Sequence, residues 1–391
     1  MQIDRLIASD FVVKNDKIFF VPLNYPYFIE YDLSKLQIIK KEKIPKVSAN
    51  TKSFFEQLVY TQDAIIASPC WADYVLKYHL KSKEISKIDI LHRDIKDEIC
   101  GGYGASAYID NGNVIAFKHF ICGDGADAYN VLEIDSKEDS AATKRMKCLK
   151  MPKCDKYKTI FFYNCVVYDK YIFLANEMAM YKYSIETNKI EKYSLPFINN
   201  KNLGIFKVND NNMMVVQDAQ ISIINFLDEK SIITIPFPEG EMGEVIDSKA
   251  IFPEKIKYIE SYKNIIYLFG ANANFVFEID LNNKEIRRSW MDEKLCGGKL
   301  EKNQHDYCFG QFSKPHIYKS QLYVWNIYKQ KFYIVKLDEH TIEDLEINII
   351  FSEEESISEL KSLLKDGIVR ESDSVCNRLE TFIQTIKKEH I

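Results

Sequence analysis

No run of apolar residues in the 391-residue chain is long enough to span a membrane. Its opening, MQIDRLIASDF, carries a carboxylate at Asp4 and lacks the apolar stretch of a secretory signal, so a soluble, cytoplasmic protein is expected. Arginine is scarce, seven of 52 basic residues, and the net charge is −5. Phosphate grips favour arginine forks and a basic surface, so nucleic acid is not an expected partner. The nine cysteines fall at irregular spacings and no two form a CxxC pair. That argues against a disulfide framework and against structural zinc; no metal and no cofactor is expected. GxSxG, HExxH, P-loop and strand-borne GxGxxG patterns are all missing, so no motif specifies a reaction.

What the chain does have is apolar and aromatic strand former. Hydrophobic residues make up 46% of it, with 24 Tyr and 24 Phe. Such a composition favours strands and supplies a large core. A repeat runs through it. FVVKNDKIFFVPLNYPYFIEYDLSKLQI from Phe11 and LVYTQDAIIASPCWADYVLKYHLKSKEI from Leu58 each read as four short strands joined by polar turns. Their register is close: Pro22 precedes Asp32 by the same interval as Pro69 precedes His79 and Gly270 precedes Asp280. Further copies begin near Ala107, Cys165, Ile205, Tyr258 and His316, giving a period of about 51 residues.

Residues 1–350 therefore resemble a seven-bladed β-propeller of four-stranded antiparallel blades, with kelch-like blades as the nearest pattern by period. Most copies lack the kelch double glycine and none ends in the WD40 Trp-Asp pair, so the resemblance implies an architecture and no partner class. Residues 351–391 read differently. SEEESISELKSLLKDG has a capping box in Ser352 and Glu355 and a stop at Gly367, with Ile357, Leu360, Leu363 and Leu364 on one face. A second segment places Val375, Leu379, Phe382, Ile383 and Ile386 together. The expectation is an all-β propeller followed by two C-terminal amphipathic helices, packed on the ring or joining two copies into a homodimer.

One phrase has a near-copy: DEICGG at Asp97 to Gly102 and DEKLCGG at Asp292 to Gly298. Both fall in connections between repeats, where glycines permit turns with positive φ and a small cysteine packs beneath. Repeated architecture explains the pair better than a shared thiol site.

The long connections, Lys46 to Glu56, Leu91 to Gly104, Lys118 to Tyr129, Pro238 to Lys257 and Met291 to Pro315, all belong to one face of such a ring, around its channel mouth. Long loops on a rigid scaffold carry function, so this face is the candidate site. Its ligand-binding candidates are Asn24, Tyr25, Trp71, Tyr103, Lys118, His119, Asn176, Gln217, Asn272 and Asn326, a ring of amides and aromatics. Tyr25 and Trp71 either stack on a ligand or wedge between blades. Asp124 and Asp127 do not match a calcium loop and read as a solvated acidic turn. The loop KNQHDYCFGQFSKPH brings His305, Asp306, Lys314 and His316 close in sequence. The leading expectation is a binding or scaffold module that holds a protein segment or a glycan. The alternative is a hydrolase or lyase acting on a carbohydrate polymer, with His119, Arg93, Glu98 and His305 as catalytic candidates.

Overall fold

A computed structural model describes residues 8, 10–22, 26–45, 55–69, 72–91, 103–109, 112–118, 120–122, 128–147, 158–160, 162, 164–175, 179–195, 204–217, 220–238, 256–270, 275–297, 311–327 and 329–347. These residues form an all-β molecule whose strands assemble as antiparallel meanders. Each repeat start read from the sequence falls within a meander's first strand: Phe11–Lys14, Phe55–Tyr60, Tyr103–Ile109, Cys165–Tyr168, Gly204–Lys207, Ile256–Tyr262 and His316–Tyr318.

Local turn chemistry explains why the repeat is visible. Asn15 and Asp16 both have positive φ, 53° and 56°, the twist that lets a two-residue turn join neighbouring strands. At the last turn of a meander, between its third and fourth strands, Asp32, Asp135 and Asp280 accept the backbone N–H groups of Ser34, Lys137 and Asn282. A carboxylate that ties down the chain two residues on favours a turn there. Leu36, Asp139, Asn188, Lys284 and His340 then take left-handed backbone immediately before the fourth strand.

The first strands stand side by side in a closed cycle: Phe11–Lys14 neighbours Phe55–Tyr60, and His316–Tyr318 returns to Phe11–Lys14. Core clusters lie between neighbouring sheets. Val166, Phe173, Val215 and Phe226 join the fourth meander to the fifth, and Tyr267, Phe269, Val324 and Tyr333 join the sixth to the last. Sheets packed radially about an axis, each burying both faces, make a β-propeller. The beginning and end of the ring meet through side chains. Phe11 packs edge-on against His316 and Phe332, Phe20 against Trp325, and Lys319 pairs with Asp16 at 2.7 Å.

Two meanders are more closely joined than the rest. The outer strand Ile85–Leu91 pairs in parallel with the outer strand Ser140–Lys147, Ile90 opposite Ala141 and Leu91 opposite Ala142. The second and third meanders thus become one eight-stranded sheet. Buried Lys77 reinforces the junction by bonding the Ser136 carbonyl and the Asp139 carboxylate.

The expectation of two C-terminal helices is corrected. Among the described residues the only helix is Asp292–Cys296, a short turn between meanders, and the segment 351–391 that was to carry the helices lies outside the described residues. No helix of the described residues is long and apolar enough to cross a membrane.

Candidate functional site

The inner strands deliver polar groups to the channel. Asp10 immediately precedes the first of them and is almost fully buried. Its Oδ1 accepts the Phe11 N–H at 2.9 Å and lies 3.2 Å from His316 Nε2, and its Oδ2 accepts the Leu58 N–H at 3.0 Å. One carboxylate thereby ties together the first, second and last meanders. Burial works to raise its pKa, but Lys314, the hydrogen bond with His316 and the Leu58 N–H outweigh it and hold Asp10 below the usual carboxylate range.

Glu260, on the inner strand of the sixth meander, has the opposite fate. Burial and the nearby Asp10 charge push its carboxyl up to about 8 against the pull of Lys314, so the group is protonated at neutral pH. Cys165, which opens the inner strand of the fourth meander, is pushed up to about 12 by burial, again against Lys314. The thiol therefore has no thiolate character. Lys314 acts electrostatically on Asp10, Cys165 and Glu260, which come from three different meanders. Nearby, the Asn164 side chain donates to the Lys257 carbonyl at 2.9 Å, the Ser106 N–H donates to Gln57 Oε1 at 2.7 Å, and Ser106 Oγ lies 2.7 Å from Ser68 Oγ. The first strands thus gather around the axis a neutral acid, an ammonium group and a set of backbone-anchored polar groups. Among the described residues no three His, Cys, Asp or Glu side chains converge as a metal site.

Tyr103 and Lys118 are brought together: they are partners across adjacent strands, at a register shift between Phe117 and Lys118. Tyr103 is buried. Bulges of this kind re-aim the end of a strand. Gln217 and Asn326 stand at the ends of second strands, where the repeat placed them, but both are buried rather than lining a rim. Asn326 donates to the Leu295 carbonyl at 2.9 Å and accepts the Lys329 N–H at 2.9 Å, which anchors the last meander to the helix before it. Asn24, Tyr25, Trp71, Asn176 and Asn272 lie outside the described residues, as do Arg93, Glu98, His119 and His305 of the catalytic alternative and Asp124 and Asp127.

Cys296 of the second CGG phrase ends the helix Asp292–Cys296, and its thiol is pushed up by burial and by Asp292. The expectation of a positive φ for the glycine behind it is wrong: Gly297 has φ −53°. Glycine is required there by close approach, since a Cβ would meet the Glu293 carbonyl oxygen at 2.1 Å. Cys100, Gly101 and Gly102 of the first phrase lie outside the described residues.

Sequence reasoning missed Asp10, Glu260 and Cys165. The available signal was positional: each opens or occupies a first strand of the repeat.

Solved structures similar to this chain are propellers. The WD40 repeats of RRP9 match with a TM-score of 0.53 at 9% identity, over 83% of this chain and 88% of that one. U3-55K matches at 0.52 and 10% identity, over 83% and 89%. The Pan2 WD40 domain of Neurospora crassa matches at 0.51 and 10% identity, over 89% and 92%. No protein-family model and no curated protein matches the chain. At these identities the likeness carries the fold, a β-propeller, and nothing of activity. The blades of these neighbours are of the WD40 kind, whereas the period read from the sequence is closer to kelch.

Proposed function

We propose that this chain is a scaffold propeller of seven blades, formed by residues 1–350, which binds a segment of a partner protein on the face that carries its long connections. The observation that supports this reading is the inequality of the two faces. On one, strands are joined by tight turns such as Asn15–Asp16 and Lys319–Ser320. On the other, the chain travels between Lys43 and Phe55, Leu91 and Tyr103, Pro236 and Ile256, and Arg288 and His316. A ring with its long segments gathered at one end is suited to recognition, because the scaffold fixes where those segments start and end.

Cross-linking mass spectrometry of the full chain in its native extract tests this. Lysines of the two faces are distinguishable: Lys294 and Lys329 on the face with the long connections, Lys17, Lys170, Lys263 and Lys319 at the tight turns. Cross-links to other proteins should concentrate at Lys294, Lys329 and their neighbours. A pattern confined to the tight-turn lysines would overturn the assignment of the face.

A further inference from the structure

A second group of chemically distinctive residues sits away from the channel, in the cleft between the outer strands of the sixth meander and the last. Tyr267, Glu278 and Arg287 form one cross-strand row, Tyr267 opposite Glu278 and Glu278 opposite Arg287. Residues in such a row share a face of the sheet. Here that face meets the last meander, whose His340 ring lies 5.0 Å from the Trp290 ring. With Ile265 they line an open cavity of about 350 Å³. That volume is at the lower end of the range that holds a small ligand or a few side chains.

The walls are ordered from the inside outward. Glu278 is buried, and both its oxygens are engaged: Oε1 accepts Arg287 Nε at 2.7 Å and Oε2 accepts Ser289 Oγ at 3.1 Å. The guanidinium is thus held from below through Nε, while its side chain remains 64% exposed and its terminal amino groups bond no described residue. Tyr267 is buried and hydrogen-bonded to Trp290, which steadies the half-buried indole. A guanidinium anchored in this way presents a two-pronged edge that fits a planar carboxylate. The surrounding charge refines the expectation. Asp280 and Glu285 lie within electrostatic reach of Arg287, so long-range attraction of an anion is weak and recognition rests on the short-range fork.

Two further facts favour a protein segment as the occupant. Arginine and tryptophan are rare in this chain, seven and three residues, and the cleft brings two arginines, Arg287 and Arg288, and one tryptophan beside a tyrosine, the composition of an interface hot spot. Arg287 also lies on the outermost strand of its sheet, Glu285–Arg288, whose far edge pairs with no described strand. An outer strand of this same ring already accepts a neighbour, as Ile90 and Leu91 pair with Ala141 and Ala142.

We propose that this cleft binds an extended acidic segment of a partner protein, with one carboxylate on the free edge of Arg287 and an adjacent aromatic or apolar side chain against Trp290 and Ile265. Trp290 opens the Arg288-to-His316 connection, but the cleft lies at the outer strands and its test reads Arg287 and Trp290 rather than Lys294 and Lys329, so its failure leaves that reading standing.

The test is fluorescence anisotropy of a labelled random copolymer of Glu and Tyr titrated with the full chain, with intrinsic tryptophan emission followed in parallel. Saturable binding is expected, weakened at least about tenfold by Arg287→Lys, which keeps the charge but not the fork, and similarly by Trp290→Leu. Raising the salt should change the wild-type affinity by no more than about threefold, because few net charges attract the segment. Thermal melts of both variants verify that they are folded, and the lysine variant keeps the pairing with Glu278. The proposal fails if binding is not saturable, if Arg287→Lys binds like wild type, or if poly-Glu without tyrosine binds equally well. Displacement of the copolymer by millimolar inorganic phosphate would mark a free-anion site instead and overturn the protein-segment assignment.

Discussion

His316 Nε2 lies 3.2 Å from Asp10 Oδ1, so two residues 306 positions apart close the ring. The contact is made at a buried carboxylate that also receives backbone N–H groups from Phe11 and Leu58. An ionised carboxylate only accepts, so the imidazole must place its proton on Nε2. Aromatic packing of Phe11 and Phe20 against Phe332 and Trp325, the Lys319–Asp16 ion pair and the Ser313 hydroxyl on the Ala8 carbonyl complete the closure. Shape holds this joint, and one carboxylate aligns it.

Asp10→Ala should therefore cost about 3–5 kcal/mol, because it leaves the Leu58 N–H without its acceptor and removes the buried charge that faces His316 and Lys314. Denaturant unfolding measures this. The pH dependence has a definite sign. The folded-state pKa of Asp10 is depressed below its ordinary, unfolded value of 3.8, so its stabilisation is complete above that value and is lost as the pH falls through the lower, folded value. The stability difference between wild type and Asp10→Ala should shrink only under strongly acidic conditions. A difference that already collapsed at mildly acidic pH would contradict the depressed pKa.

Glu260 predicts the reverse slope. Its carboxyl rises from 4.5 unfolded to about 8 folded, so the native state binds the extra proton between those values and stability falls as the pH rises through them. Glu260→Gln mimics the protonated form. It should be near neutral for stability at pH 5 and should stabilise relative to wild type, by up to a few kcal/mol, at pH 9. Equal effects at both pH values would show that the carboxyl titrates normally.

Gly297→Ala should destabilise by about 1–3 kcal/mol, since the added methyl group meets the Glu293 carbonyl and the helix end must shift. The displaced helix bears on Asn326 through the Leu295 carbonyl, so amide exchange at Lys329 should quicken with it. A variant with unchanged melting would mean that this turn relaxes without cost.

The repeat was legible because its markers are local. Asp32 and Asp280 recur at one register since a turn needs a carboxylate there, and Asn15 and Asp16 mark a tight hairpin by their own backbone preference. The channel cluster left no such trace. Asp10, Cys165, Glu260 and Lys314 are scattered along the chain and converge only when first strands line up around the axis. Residue type misled as well: Asn326 looked like a rim amide, yet it is spent on the Leu295 carbonyl and the Lys329 N–H. Gly297 was rightly singled out but for the wrong reason, steric approach taking the place of a positive φ.

The parallel pairing of Ile90 and Leu91 with Ala141 and Ala142 makes the ring mechanically uneven. Among the described residues the other neighbouring sheets meet through side-chain packing, whereas this pair shares backbone hydrogen bonds and a buried lysine clamp. Where Asp10 and His316 meet, the first and last sheets share no described strand pairing, and side chains alone fasten the ring, like a clasp on a cuff.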